Sequence, residues 1–159
     1  MRPKIEYSSQ LINLGSDSCK SGYAGTYGSN FFFGSFPKAW QKFDIALLEL
    51  FPMVLLIKIY GHKLKNSKVQ FSCDNSSIVH VINNMSSKNS KIMSLLRPMI
   101  LALLEYNISF KAVRVAGKTN VLCDRLSRGQ VSAKLLLRFG MAQSPTTVPQ
   151  RLRPENWRI

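Results

Sequence analysis

From Gln10 to Phe36 short apolar pieces alternate with glycines at positions 15, 22, 25, 28 and 34, set among Tyr, Ser, Thr and Phe. β-favouring residues broken at this spacing predict short antiparallel strands joined by tight turns. Three fit, at about Leu11 to Cys19, Tyr23 to Ser29 and Asn30 to Gly34. The pattern changes at Pro37 and Trp40. From Asp44 the run DIALLELFPMVLLIKIYGHKL is apolar almost without interruption until Gly61. It is too long for a strand, so it predicts a buried helix, with Asp44 as a cap candidate and a kink or break expected at Pro52.

Lys68 to Cys73, KVQFSC, alternates apolar and polar residues and predicts a strand. Asp74 then opens a helical pattern through Ile78, Val79, Val81 and Ile82. The polar interval SSKNSK, Ser86 to Lys91, separates this from a second helix, Ile92 to Tyr106, whose Leu95, Met99 and Leu103 form a core stripe despite Pro98. Ile108 to Val115 predicts another strand, and Gly117 turns the chain into a short helix from about Thr119 to Arg128. The order βββαβααβα belongs to an α/β class with a mixed sheet, begun by a meander and completed through helical crossovers. Gln130 to Phe139 adds a small amphipathic helix ended by Gly140, and SPTTVPQRLRPENWRI, from Ser144 on, predicts an exposed linker or tail. The expected organisation is an N-terminal extension over 1–9, one domain over 10–130, a short helix over 131–143 and a Pro/Arg-rich tail over 144–159.

A chain of 159 residues supports one core, and a hydrophobic fraction of 45% is that of a folded protein. Charge changes the picture more. Twenty-two Lys and Arg face 8 Asp and Glu, a formal charge of +14, which points to a polyanionic partner. A charge that merely keeps the protein soluble is the alternative. No sustained basic amphipathic helix is present, and the most apolar stretch, Ile45 to Tyr60, carries Glu49, Pro52 and Lys58. Nucleic acid is therefore favoured over a membrane, and no small-molecule substrate is expected. Cys19, Cys73 and Cys123 form no CxxC pair, neither His62 nor His80 makes a zinc-type pair with them, and no apolar leader opens the chain. An intracellular, reduced protein is expected, with the thiols as buried small hydrophobes.

The eight acids are Glu6, Asp17, Asp44, Glu49, Asp74, Glu105, Asp124 and Glu155. Glu49 has only uncharged helical neighbours at three and four residues, Ile45, Ala46, Pro52 and Met53, so its carboxylate needs either a cation or a solvent-facing gap. Asp74 ends a strand where α/β sheets tend to place ligand sites, yet it also resembles a helix N-cap. Asp17 precedes a Lys-Ser-Gly turn that it could simply form, and Asp124 has Arg128 one helical turn away as an ordinary surface partner. Taken together, two strand ends, a crossover helix and a late helix can approach one rim of the sheet. Carboxylates gathered there would need hard cations, for which oxygen-only ligands suit Mg²⁺ or Mn²⁺.

The segments SDSCKSGYAG (Ser16 to Gly25), FPKAW, LLELFP, GHKLKNSKVQFSCDN (Gly61 to Asn75), VINNMSSK, LLRPMILALLEYNISFKA (Leu95 to Ala112) and GKTNVLCDRLSR (Gly117 to Arg128) carry a resemblance. In this order they resemble ribonuclease H domains of retroelement reverse transcriptases, most closely those of DIRS-type, tyrosine-recombinase-bearing retrotransposons. The resemblance implies a five-stranded mixed sheet flanked by helices. It also implies that Asp17, Glu49, Asp74 and Asp124 hold two Mg²⁺ and that the RNA strand of RNA/DNA hybrids is cut to leave a 3′ hydroxyl and a 5′ phosphate. Ser18, Asn75, Lys88, Lys91 and Arg128 are the residues expected to meet nucleic acid, and a reverse transcriptase domain of a parent polyprotein is the expected companion. Pro52 recurs in the family's LELFP segments, which favours a helix there. Two departures stand out: Arg114 to Gly117 replace a frequent HIPG, and Ser86 to Lys91 is too short for the extra basic helix of some cellular relatives. An inactive nucleic-acid-binding module and a degenerate remnant are the competing readings.

Overall fold

The computed structural model describes residues 10–116 and 120–159. The 1–9 extension, the Gly117 turn and the expected helix start at Thr119 lie outside the described residues. Five strands, β1 (Leu11–Ser18), β2 (Gly22–Tyr27), β3 (Asn30–Ser35), β4 (Lys68–Cys73) and β5 (Ser109–Arg114), form one sheet in the order β3-β2-β1-β4-β5. β1, β2 and β3 pair antiparallel, and β4 and β5 join in parallel. The expected meander closed by crossovers is what the chain forms. Tyr27 pairs with Asn30 across a two-residue turn in which Gly28 takes φ 57°, a left-handed conformation that suits glycine in tight hairpins.

The helices are α1 (Ile45–Tyr60), α2 (Ser76–Asn84), α3 (Ser90–Glu105), α4 (Val121–Ser127) and α5 (Ala133–Arg138). α1 lies in the large core between the sheet and α3, where Leu48, Leu50, Phe51, Met53, Val54, Leu55, Leu56 and Ile57 are fully buried with Leu14, Phe32 and Phe71. That burial accounts for a helix apolar enough by composition alone to cross a membrane. Asp44 caps α1 as expected, accepting from the Ala46 backbone N–H at 3.1 Å. A smaller cluster, Ala24, Phe31, Leu126, Leu135, Leu136 and Met141, seats α4 and α5 against the sheet. Gly22 lets α4 approach, because a Cβ there would run into the backbone carbonyl oxygen of Ser127.

Two expectations need correction. α1 runs unbroken through Pro52. Proline offers no N–H to the carbonyl one turn back, that of Leu48, but the Ser18 hydroxyl of β1 donates to that oxygen at 2.6 Å. The missing helical bond is replaced from the sheet, and the buried residues on either side of Pro52 let the helix continue through it. The segment from Ser144 on is not a free tail. The Ala142 and Thr146 backbone N–H groups donate to the carbonyls of Ser29 and Phe31 (2.9 and 2.7 Å), so the chain runs along the outer edge of β3. Val148 and Leu152 are buried in the large core, and Trp157 meets Phe51 edge-on at 5.8 Å between ring centres. Its prolines favour an extended path, while its spaced apolar residues and an edge strand with open hydrogen-bonding groups make that path a docked one.

Candidate active site

β1 and β4 run in parallel with Leu11 opposite Lys68 and Gly15 opposite Ser72. Continuing that register by two residues sets Asp17 beside Asp74 at one strand end. Glu49 reaches the same end from α1, clamped to β1 by the Ser18–Leu48 bond next to it in sequence. Asp124 comes from the opposite face on α4. The buried Asn120 side chain, just before α4, donates to the Ser16 carbonyl of β1 at 3.0 Å and ties that helix to the strand carrying Asp17.

The result is a concentration of negative charge in low-dielectric surroundings. Asp17 is 5% exposed and Glu49 6%. Burial, then the neighbouring Asp74 and Asp124, push the Asp17 carboxyl up to about 7. Burial, then Asp17 and Asp74, push Glu49 up to about 9. The Ser18 backbone N–H opposes both shifts. Among the described residues no donor reaches Glu49 Oε2, although that atom is buried. Among the described residues this carboxylate oxygen has no donor while its side chain faces two further carboxylates, and a divalent cation is the partner that such a donor set fits. The fit is closest around Glu49 and Asp74, whose oxygens lie within 4.8 Å of each other and of Cys73 Sγ.

Asp124 behaves differently. It stands beside Asp17, yet it is half-exposed and its Oδ1 accepts from Arg128 Nε at 3.1 Å, the one-turn surface pair open from the sequence. Arg128 thus places its Nε on Asp124 while its side chain stays half-exposed. The cap ambiguity at Asp74 is resolved by its neighbour: Asn75 Oδ1 caps α2, accepting from the Ser77 and Ile78 N–H groups at 3.0 and 3.3 Å. Asp74 is free of that duty, and Asn75 cannot offer the same oxygen to a nucleic acid. Ser18 needs a fuller correction as a nucleic-acid contact, because its hydroxyl is buried and spent on Leu48. Lys88 is exposed beside a groove with His80 and Asn84, and Lys91 is exposed with its ammonium 5.2 Å from the Phe43 ring centre. Neither belongs to the carboxylate cluster.

The thiols are not uniformly inert filler. Cys73 is buried, but burial and the adjacent Glu49, Asp74 and Asp17 charges push its thiol up to about 12, which marks it as a neighbour of the site. Cys19 is only partly buried and lies 3.1 Å from Ser21 Oγ. Neither Cys73 nor Asn120 stood out as a site residue in the sequence. The only signal was the position of Cys73 directly before Asp74 at a strand end.

A five-stranded mixed sheet in this order, flanked by helices, is the ribonuclease H fold. By sequence, no protein-family model and no curated protein matches the chain. By structure it is similar to ribonuclease H1 from the halophilic archaeon Halobacterium salinarum, with TM-score 0.59 and 8% identity over 75% of this chain and 96% of that one. It is similar also to LC11 ribonuclease H1, solved with an RNA/DNA hybrid, with TM-score 0.60 and 12% identity over 75% of this chain and 94% of that one. A third likeness is to one part of the foamy viral protease-reverse transcriptase in complex with RNA/DNA hybrid, with TM-score 0.53 and 14% identity over 81% of this chain and 20% of that one. At such identities the shared property is the fold.

Proposed function

We propose that the chain is a divalent-metal-dependent endonuclease that hydrolyses the RNA strand of RNA/DNA hybrids, with Asp17, Glu49, Asp74 and Asp124 as the metal-holding carboxylates. The observation that carries this reading is Glu49 Oε2, buried without a donor among the described residues, on a side chain that faces the Asp17 and Asp74 charges. A structural carboxylate would be expected to have a partner; a ligand for an ion need not have one within the protein. Bound Mg²⁺ or Mn²⁺, two ions in the full reading, supplies an activated water and charge stabilisation for the leaving oxygen of a phosphodiester.

The chain's own groups prepare that chemistry. Ser18 holds Glu49 against β1, and Asn120 holds the Asp124 helix against the same strand, so both helices are pinned to the strand that carries Asp17. Lys88, Lys91 and the remainder of the +14 excess provide phosphate contacts. The hybrid complexes of two structural neighbours support the choice of substrate. The motif resemblance and the reverse transcriptase neighbour favour a retroelement origin, with a DIRS-type polyprotein and its reverse transcriptase as the parent.

Purified protein with Mg²⁺ should shorten the RNA of an end-labelled hybrid, and Asp74→Asn should abolish cleavage. Equal backgrounds from both proteins would rule the enzyme out. The Asp124–Arg128 pair favours a second reading, in which the guanidinium stands where an ion is needed and the domain only binds nucleic acid. Affinity would then fall steeply with salt, ignore Mg²⁺ and be indifferent to Glu49→Gln.

A further inference from the structure

Cys73 ends β4 on its inward face, following Val69 and Phe71, while Asp74 continues onto the rim. Its Sγ lies within 4.8 Å of carboxylate oxygens from both Glu49 and Asp74. The Asn75 backbone N–H donates to this sulfur at 3.4 Å and holds it in place at the strand end. Glu49 Oε2, buried and without a donor among the described residues, belongs to the same side chain that supplies one corner of the group. Sulfur and oxygen ligands therefore meet at one point, beside carboxylates that would otherwise form an all-oxygen site.

Resting on the metal-centre reading above, we propose that Cys73, Glu49 and Asp74 form a mixed sulfur–oxygen position that takes a thiophilic divalent ion, of the Zn²⁺ or Cd²⁺ class. Hard ions such as Mg²⁺ are served by the oxygens alone and gain nothing from sulfur. A softer ion gains a thiolate ligand, and the thiol proton leaves to solvent as the metal–sulfur bond forms, one proton for each ion bound. The centre then holds Zn²⁺ or Cd²⁺ more tightly than its carboxylates alone would.

The test uses the purified chain, freed of metal and titrated with CdCl₂ or MgCl₂. Sulfur-to-cadmium charge-transfer absorption should rise to saturation, with a proton released in step. Cys73→Ser and Cys73→Ala should each lose the band and weaken Cd²⁺ binding by about tenfold or more. Cys19→Ser and Cys123→Ala should retain it. The Mg²⁺-induced rise in melting temperature should survive Cys73→Ala and be lost in Glu49→Gln. A band that persists without Cys73, or no band while Mg²⁺ still raises the melting temperature through Glu49, overturns the sulfur ligand alone. If neither ion shifts the melting temperature of the wild-type chain, the metal-centre reading falls with it.

Discussion

The Ser18–Leu48 bond makes a quantitative expectation about α1. Leu48 lost its helical donor because residue 52 is proline, and the Ser18 hydroxyl stands in for it at 2.6 Å, fully inside the protein. Ser18→Ala therefore leaves a buried carbonyl without a donor, a loss of roughly 1–3 kcal/mol. In Pro52→Ala the residue 52 N–H can bond Leu48 directly, and removal of the proline favours the helix further. Ser18→Ala in that background should cost only about 0–1 kcal/mol. The coupling between the two positions should thus be about 1–2 kcal/mol, well above the few tenths expected of independent sites. Urea denaturation of the four proteins gives the cycle. Additive effects within about 0.3 kcal/mol would refute the idea that the serine replaces the proline's missing bond. Mg²⁺ affinity provides a second readout, since loosening α1 from β1 moves Glu49, and Ser18→Ala should weaken it while the double variant recovers it.

Asp17 and Glu49 have folded values near 7 and 9, above their ordinary 3.8 and 4.5, so the folded protein binds these protons more tightly than the unfolded chain. Their contribution is complete below about pH 4 and is lost as pH rises through about 7 and then 9. Without divalent ions the melting temperature should decline over that window. Mg²⁺ should reverse most of the decline, and a flat profile in chelator would contradict the buried carboxylate cluster. Glu49→Gln should stabilise the metal-free protein at neutral pH by about 1–3 kcal/mol in urea denaturation, because buried Glu49 must take up a proton on folding whereas Gln is neutral in both states. Arg128→Ala should tighten Mg²⁺ binding several-fold by calorimetry, since Asp124 no longer shares its charge with a guanidinium; weakened binding would show that Arg128 orients Asp124. Leu152→Ala should cost about 2–4 kcal/mol by denaturation, whereas an undocked tail would show no change.

Local pattern determined much of this protein. Alternation and glycine spacing marked β1, β2 and β3, an uninterrupted apolar run marked α1, and the order of elements pointed to a mixed sheet with crossovers, because hydrophobic periodicity and turn chemistry act over a few residues. The acids were visible one by one, each with a competing local role. Only the tertiary structure decided among those roles, since they depend on which group comes near. Asn75 took the cap, leaving Asp74 at the rim; Arg128 took Asp124; and Asp17 met Asp74 through a register that no local pattern encodes. The same holds for Pro52, whose missing bond to Leu48 is supplied by Ser18, 30 residues before Leu48, and for Cys73, which reads as a core residue until Glu49 lies beside it. The segment after Ser144 reads as an exposed tail, yet Thr146 bonds the edge of β3, residues Gln150–Leu152 and Pro154–Asn156 form two short 3-10 turns, and Trp157 packs on Phe51. Propensity acts within a segment, whereas desolvation and charge act between segments, and the chemistry of this site is of the second kind.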